Sequence, residues 1–243
     1  MSPVRSVTGL AAKLSEALNP HGLIVRGAFR PTADDLAGTN LQADAVSKLV
    51  LIGNAGAAMW RAFAPFIDGD PNPLDRWTRS IVEPVADQVR ARAIFPFDQP
   101  APPIQRWAMR AERLLPSPLG ILIHPKYGLW HAYRAVLVLS NDVESEHEAL
   151  ESTREELSAH PCDSCAEKPC LAACPVGAFS TGGYNVPACA EYLAGTEGGS
   201  CLRGGCLARN ACPIGREWRY GDAQIAFHMA AFAGAVTADK AAG

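Results

Sequence analysis

The first 161 residues of this 243-residue chain contain no cysteine. No apolar run approaches the roughly 18 residues that predict a membrane-spanning helix. We expect no secretion signal either, because Lys13 and Glu16 interrupt the apolar N-terminal segment. Basic residues are not in excess, since 22 Lys and Arg stand against 25 Asp and Glu for a net charge of −3. These absences argue against a secreted, membrane-bound or nucleic-acid-binding protein and predict a cytoplasmic location.

All eight cysteines lie within residues 162–212 and form two motifs with one isolated residue between them. Bacterial ferredoxin motifs have a similar order, C-x2-C-x2-C-x3-C-P, although the loops here are longer. In this chain, as in those motifs, a proline follows the last cysteine, at Cys174-Pro175 and Cys212-Pro213. This proline removes one backbone N–H donor and turns the chain away from the ligand. Eight thiolates are also the number that two four-cysteine clusters require. The order is Cys162-x2-Cys165-x4-Cys170-x3-Cys174-Pro175, then Cys189, then Cys201-x4-Cys206-x5-Cys212-Pro213.

Zinc sites, disulfides and isolated buried thiols each fit this cysteine pattern less well. Structural zinc is bound by paired C-x2–4-C knuckles, whereas this chain has one C-x2-C pair and its Cys-Pro steps have no role at zinc. Disulfides require an oxidising compartment. Isolated buried cysteines would be scattered along the chain. The spacing therefore favours iron–sulfur chemistry, with a zinc-binding structural or interaction module as the alternative.

Before the cysteines, helical and strand patterns alternate, which predicts an α/β (α+β) domain of unknown ligand over residues 1–141. The segment Gly53–Gly56 predicts a tight turn rather than an anion-binding loop, because it matches neither the dinucleotide nor the phosphate motif. The hydrophobic patterns predict helices over residues 7–18, 57–67, 74–91 and 104–114, and strands over residues 23–29, 48–52, 119–123 and 135–139.

An acidic segment separates this domain from the cysteines. Residues 142–160 hold seven acids and one arginine, which predicts a solvated connecting helix over residues 142–161. A docking face for a basic redox partner is the alternative interpretation. Residues 162–243 are then expected to form a small cysteine-rich, ferredoxin-like cluster domain that ends in a helix over residues 216–236.

The order of the cysteines resembles that of epoxyqueuosine reductase, and the related cobalamin-dependent reductive dehalogenases carry a similar pair of clusters. The resemblance rests on the two motifs within residues 162–213 and on the sequence Cys189-Ala-Glu-Tyr-Leu193 between them. A weaker likeness lies upstream, in Pro103-Ile-Gln-Arg-Trp-Ala108 followed by Leu119-Gly120.

This resemblance implies two interleaved [4Fe–4S] clusters. The first would be held by Cys162, Cys165, Cys170 and Cys212. The second would be held by Cys174, Cys189, Cys201 and Cys206. Each motif would thus supply ligands to both clusters, and neither half is expected to fold without metal.

The family also holds a cobalamin in its N-terminal domain and uses an aspartate as proton donor. The aspartate nearest to that pattern here is Asp98, which lies in a proline-rich loop where a turn residue is the more usual role. His124 and His131 are candidate neighbours of a cobalamin or metal, although we favour ordinary turn histidines.

Three basic residues lie among the cysteines and have two interpretations. In the first, they stabilise the reduced, more negative clusters or dock an acidic donor protein such as flavodoxin; in the second, they are solvated loop charges. These residues are Lys168, Arg203 and Arg209.

The sequence therefore predicts an iron–sulfur redox protein that transfers single electrons through two clusters. It acts either as an electron carrier or as a reductase related to epoxyqueuosine reductase, with cobalamin or another acceptor in the N-terminal domain. The expected partner is a redox protein such as flavodoxin or ferredoxin reductase, with no membrane and no direct nucleic-acid binding.

Overall fold

The computed structural model describes residues 9–141, 160–180 and 183–242, with side chains described up to residue 236. These residues fall into two compact units. The first unit lies within Met1–Arg113 and Ala132–Glu156, and the second lies within Leu114–His131 and Leu157–Gly243. The expected acidic helix lies outside the described residues, apart from its last two positions.

The first unit contains five helices and four strands among its described residues, and the two kinds of element are interspersed along the chain. Its mixed α and β content agrees with the expected fold class. The helices are α1 (Leu10–Leu18), α2 (Ala33–Leu36), α3 (Ala58–Phe63), α4 (Pro73–Gln88) and α5 (Ile104–Glu112). The strands are β1 (Ile24–Phe29), β2 (Val46–Ala55), β3 (Arg92–Ile94) and β6 (His131–Ser140), whose first residue is counted with the second unit.

The four strands form one sheet in the order β1-β2-β6-β3. Strand β1 pairs antiparallel with β2, and β3 pairs antiparallel with β6. Strand β2 is buried at every position except Lys48, as its apolar sequence predicts. At Gly53 an added Cβ would lie 2.2 Å from the carbonyl oxygen of Ala132, so the sheet has room only for glycine there.

Two of the sequence boundaries in this unit need correction. Strand β2 continues through Ala55, and Gly53 pairs with Ile24 of β1, so the positive φ of the turn is found only at Gly56. The helix that follows ends at Phe63 and continues as a 3-10 turn over Ala64–Phe66. In contrast, the predicted N-terminal helix is confirmed, with its leucines at positions 10, 14 and 18 buried.

A buried ion pair crosses the core of the first unit. Arg26 on β1 donates to Glu112 at the end of α5 over 2.9 Å, and the two side chains are 1% and 8% exposed. Tyr133 also donates to this carboxylate, at 2.8 Å. Burial raises the pKa of Glu112, while Arg26 and the hydrogen bond from Tyr133 oppose that rise. The attraction between Arg26 and Glu112 and the hydrogen bond from Tyr133 therefore oppose the desolvation cost of burying the two charges.

We predict that Glu112→Gln lowers the free energy of unfolding of the first unit by about 3–5 kcal/mol, because it removes the counter-charge of a buried guanidinium. Urea denaturation measures this loss. The matched control is Asp68→Asn, which removes the carboxylate of an exposed pair with Arg76 and should change stability little. Equal stability of Glu112→Gln and the native chain would show that Arg26 does not depend on this charge.

The second unit contains short elements before its one long helix. Helix α10 packs against α7 and α8, and α6 packs against α9. The strands pair as two small antiparallel hairpins, β4 with β5 and β7 with β8. The elements are β4 (Leu115–Pro116), β5 (Leu122–Ile123), α6 (Pro169–Ala172), β7 (Phe179–Ser180), β8 (Gly183–Tyr184), α7 (Val186–Ala194), α8 (Gly199–Gly204), α9 (Leu207–Asn210) and α10 (Asp222–Ala242).

The second unit departs from the sequence expectations at three places. Residues 114–131 belong to it, rather than to the unit that precedes the cysteines. Within them, only Leu122–Ile123 of the predicted strand 119–123 is extended, because Gly120 turns the chain with a φ of +74°. The last helix begins at Asp222, since Arg216–Trp218 forms a separate 3-10 turn. Among the described residues, no helix has the length and apolar character needed to cross a bilayer.

Candidate metal centre

The eight cysteines are all free thiols in the second unit. Each motif contains a short helix that ends just before its Cys-Pro step. Helix α6 carries Cys170 and ends before Cys174-Pro175, and α9 starts after Cys206 and ends before Cys212-Pro213. The packing of α6 on α9 therefore brings the two motifs together.

The first group of thiols lines a small apolar cavity and consists of Cys162, Cys165, Cys170 and Cys212. Leu119, Ile123 and Leu129 form an apolar core with Cys170 and Cys212, and Cys162 packs against it. Cys174 and Cys206 contact the same core. The group combines three residues of the first motif with the last residue of the second motif. These are the residues that the family resemblance assigns to one cluster.

The remaining four thiols form a second group, Cys174, Cys189, Cys201 and Cys206. Cys189 lies within electrostatic range of Cys174 and Cys201, and Cys206 lies within range of Cys201 and Cys189. The isolated cysteine on α7 thus joins the last residue of the first motif and two residues of the second.

Burial raises the pKa of several of these thiols. The pKa of Cys162 is raised to about 11. Burial is the largest cause, the neighbouring Cys212, Cys170 and Cys165 add to it, and Lys168 opposes the rise. Burial also raises the pKa of Cys170, Cys206 and Cys212, partly offset by backbone N–H donors. Metal ligation at these sulfurs therefore has to displace bound protons, so affinity rises with pH.

Two glycines hold the loop around residues 124–128 against the chain after Cys212. A Cβ on Gly128 would lie 2.0 Å from the carbonyl oxygen of Ile214, and one on Gly215 would lie 2.4 Å from the carbonyl carbon of Tyr127. Both glycines have positive φ, +55° and +68°. Because Cys212 lies two residues before Ile214, this close approach positions the distant member of the first group.

Gly128→Ala is expected to destabilise the second unit by about 1–3 kcal/mol beyond the strain of a left-handed alanine, because the Cys212 segment has to move away. Thermal unfolding of the variant measures the loss.

The control is Gly177→Ala, whose φ of +56° is nearly the same and whose Cβ would meet nothing within 4 Å. Both variants carry the same backbone strain, so equal destabilisation would mean that the contact with Ile214 has no effect.

Tyr184 is the one side chain that donates to a thiol among the interactions described for the two groups. Its hydroxyl bonds Cys189, and burial together with the neighbouring Cys189, Cys206 and Cys174 raises its pKa. The hydrogen bond lowers the pKa of Cys189 against the larger effect of burial. The β7–β8 hairpin positions the ring, which stacks on Phe179 with centroids 4.6 Å apart. In the same group, the backbone N–H of Ala178 donates to Cys174 Sγ over 3.3 Å.

Arg209 differs from the solvated loop charge that the sequence allows. Burial lowers its pKa, and its guanidinium lies 4.4 Å from the ring centroid of Trp130 and 5.1 Å from that of Tyr220. It also donates to the carbonyl oxygen of Leu129. Arg209 thereby connects α9 to Leu129 and Trp130. The sequence gives no signal of this role, because Trp130 lies far from Arg209 in the chain.

Of the remaining candidate residues, Asp98 and His124 occupy turns, whereas His131 begins strand β6 and is not the turn histidine that the sequence favours. Asp98 accepts from the backbone N–H of Phe95 at 2.8 Å and pairs with Arg79 at 2.7 Å. His124 Nδ1 accepts from the backbone N–H groups of Lys126 and Tyr127. His131 is buried, and its Nε2 lies 3.0 Å from the carbonyl oxygen of Leu122. The favoured turn roles of Asp98 and His124 agree with these contacts.

Cobalamin does not fit the cavity described in the first unit. This cavity has a volume of about 290 Å³ and is lined in part by Asp98, Gln99 and Trp107. Sites for drug-sized ligands span roughly 300–1,000 Å³, and cobalamin is larger than such ligands.

Solved structures that are similar to the chain include two epoxyqueuosine reductases. No protein-family model matches the chain, and no curated protein matches it. A selenomethionine-labelled epoxyqueuosine reductase matches with a TM-score of 0.46 and 16% identity, over 73% of this chain and 51% of that one. An epoxyqueuosine reductase from Bacillus subtilis matches with a TM-score of 0.45 and 15% identity, over 84% and 57%. The chain thus spans little more than half of those structures, and a likeness at this level carries no argument about chemistry.

Among the described residues, no three His, Cys, Asp or Glu side chains lie close enough to share a single metal ion.

Proposed function

We propose that this protein is a cytoplasmic iron–sulfur redox protein that transfers single electrons through two [4Fe–4S] clusters. The observation that carries the proposal is the arrangement of the eight thiols in two groups of four, each drawn from both motifs. Four-thiolate groups are the ligand sets of such clusters. Cys162, Cys165, Cys170 and Cys212 would hold the first cluster, and Cys174, Cys189, Cys201 and Cys206 the second.

Zinc and a cubane cluster require different distances between their four thiolates. Four thiolates around one zinc lie about 3.8 Å apart, since each Zn–S bond is about 2.3 Å long. A cubane cluster spaces its thiolates more widely, because each binds a different iron atom. Zinc remains the alternative, and metal analysis of the purified protein separates the two.

The protein's own contribution is to insulate the clusters and tune them. When bound, the clusters supply one-electron chemistry. The apolar side chains that thiols of both groups contact exclude water, and Lys168 and Arg216 place positive charge near the first group. Backbone N–H groups donate to thiols of both groups. Tyr184 adds a side-chain donor to Cys189, which distinguishes the second group among the described interactions.

The electrons would come from a redox protein such as flavodoxin or ferredoxin reductase. In the carrier form of the proposal the clusters pass them to another protein. In the reductase form they pass them to an acceptor on this chain. Turnover of the reduced protein with and without added acceptors separates the two forms.

Anaerobically purified protein should contain about eight iron and eight sulfide ions per chain. Under the crossed arrangement Cys212→Ser should remove the same electron paramagnetic resonance signal as Cys162→Ser, although the two residues lie at opposite ends of the cysteine region.

Cys174→Ser is the matched control, because it lies close to Cys170 in sequence and belongs to the other group. It should remove the other signal. If Cys174→Ser and Cys162→Ser remove the same signal, the crossed assignment is wrong, and zinc in place of iron would overturn the whole proposal.

Tyr184→Phe should lower the reduction potential of the second cluster, because a hydrogen bond to a thiolate sulfur stabilises the more negative, reduced state. The first cluster should keep its potential. Redox titration followed by electron paramagnetic resonance resolves the two.

Tyr192→Phe is the control, since Tyr192 lies on the same helix three residues after Cys189. It loses a hydroxyl group without losing a described bond to sulfur. A shift of equal size in both variants would contradict the role of Tyr184.

A further inference from the structure

A cavity of about 430 Å³ lies in the second unit beside the second group of thiols. Its volume is within the range of small-molecule sites, roughly 300–1,000 Å³. Cys189 and Cys206 form part of its wall, together with the stacked rings of Phe179 and Tyr184. Cys174 and Cys201, the other two thiols of that group, do not line it, so the cavity extends beyond the place where the four thiols would hold a cluster.

Helix α10 presents one face to the cavity. Its lining residues have the spacing i, i+3, i+4 and i+7, which places them on a single stripe. Ile225 at the start of the stripe is buried, and the other three are half-buried. An apolar helix face normally packs against other protein, whereas part of this one faces empty space. The stripe consists of Ile225, His228, Met229 and Phe232.

The remaining wall combines aromatic rings with one buried positive charge. Trp130 and Tyr220 meet edge to face, with centroids 5.4 Å apart. The guanidinium of Arg209 lies over both rings and also lines the cavity. Ring faces stack on flat conjugated molecules, and a guanidinium in a largely apolar cavity favours a negative charge on the ligand.

We propose that this cavity binds a flat, conjugated molecule of two or three fused rings that carries a negatively charged group. The aromatic walls and Met229 select the ring system, and Arg209 selects the charge. The importance of the site rests on the proposed function: if Cys189 and Cys206 hold the second cluster, the ligand lies against it. A small molecule bound there would be in contact with the electron path.

The test uses the anaerobic, oxidised, metal-loaded protein and the probe anthraquinone-2-sulfonate. Isothermal titration calorimetry should show saturable binding. Camphorsulfonate, which carries the same charge on a non-planar apolar frame, should bind at least tenfold more weakly. Equal binding of the two probes, or no binding of the first, would overturn the proposal.

Met229→Trp should weaken binding of anthraquinone-2-sulfonate at least tenfold, because the indole fills the cavity. Ala230→Trp places the same side chain at an exposed position on the opposite side of α10. This control variant should bind anthraquinone-2-sulfonate as tightly as the native chain does. Phe232→Trp provides a second filling variant if Met229→Trp loses its metal. Equal binding by the native chain and a metal-loaded filling variant would overturn the site.

Iron content measured on each sample separates the two proposals. A chain without iron contradicts the proposed function, whatever it binds. An iron-loaded chain that does not bind anthraquinone-2-sulfonate contradicts only the proposed ligand site in the cavity.

Discussion

Thiolates hold metal only when enough of them converge, and here convergence depends on two motifs that are distant in sequence. The packing of α6 on α9 and the contact between Gly128 and Ile214 bring Cys212 to the first three cysteines. Burial then raises the pKa of Cys162 and Cys212, so the group carries a desolvation cost that bound metal would offset. The short elements of the second unit follow from the same constraint, because its loops have to return the chain repeatedly to two small centres.

The two thiol groups differ in one part of their surroundings. Thiols of both groups contact the buried apolar cluster that contains Leu119, Ile123 and Leu129. A basic residue lies near each group, Lys168 by Cys162 and Arg209 by Cys206. The second group is bordered in addition by aromatic rings, by the hydroxyl of Tyr184 and by an open cavity. In a protein that moves electrons, the centre beside the cavity suits exchange with a ligand.

Local patterns were sufficient for the long elements and for the location of the chemistry. The leucines of α1 and the apolar run of β2 are confirmed because their periodicity or continuous burial is visible in the sequence. The strand expected over residues 119–123 is shorter in the structure, because Gly120 turns the chain with a positive φ. Gly53 was expected in a turn but lies in β2, where the neighbouring strand leaves room only for glycine. The grouping of the thiols followed from family resemblance, since spacing alone left zinc open. The burial of Arg209 depends on rings from distant segments, which no local pattern records.

The contribution of Cys212 to the first group has a consequence for biosynthesis. Cys162, Cys165 and Cys170 are translated 42 to 50 residues before Cys212, a delay of several seconds at the usual rate of roughly 5–20 residues per second. If these four thiols hold the proposed cluster, the cluster could be completed only after Cys212 has been translated. The three earlier thiols would remain open to oxidation until then.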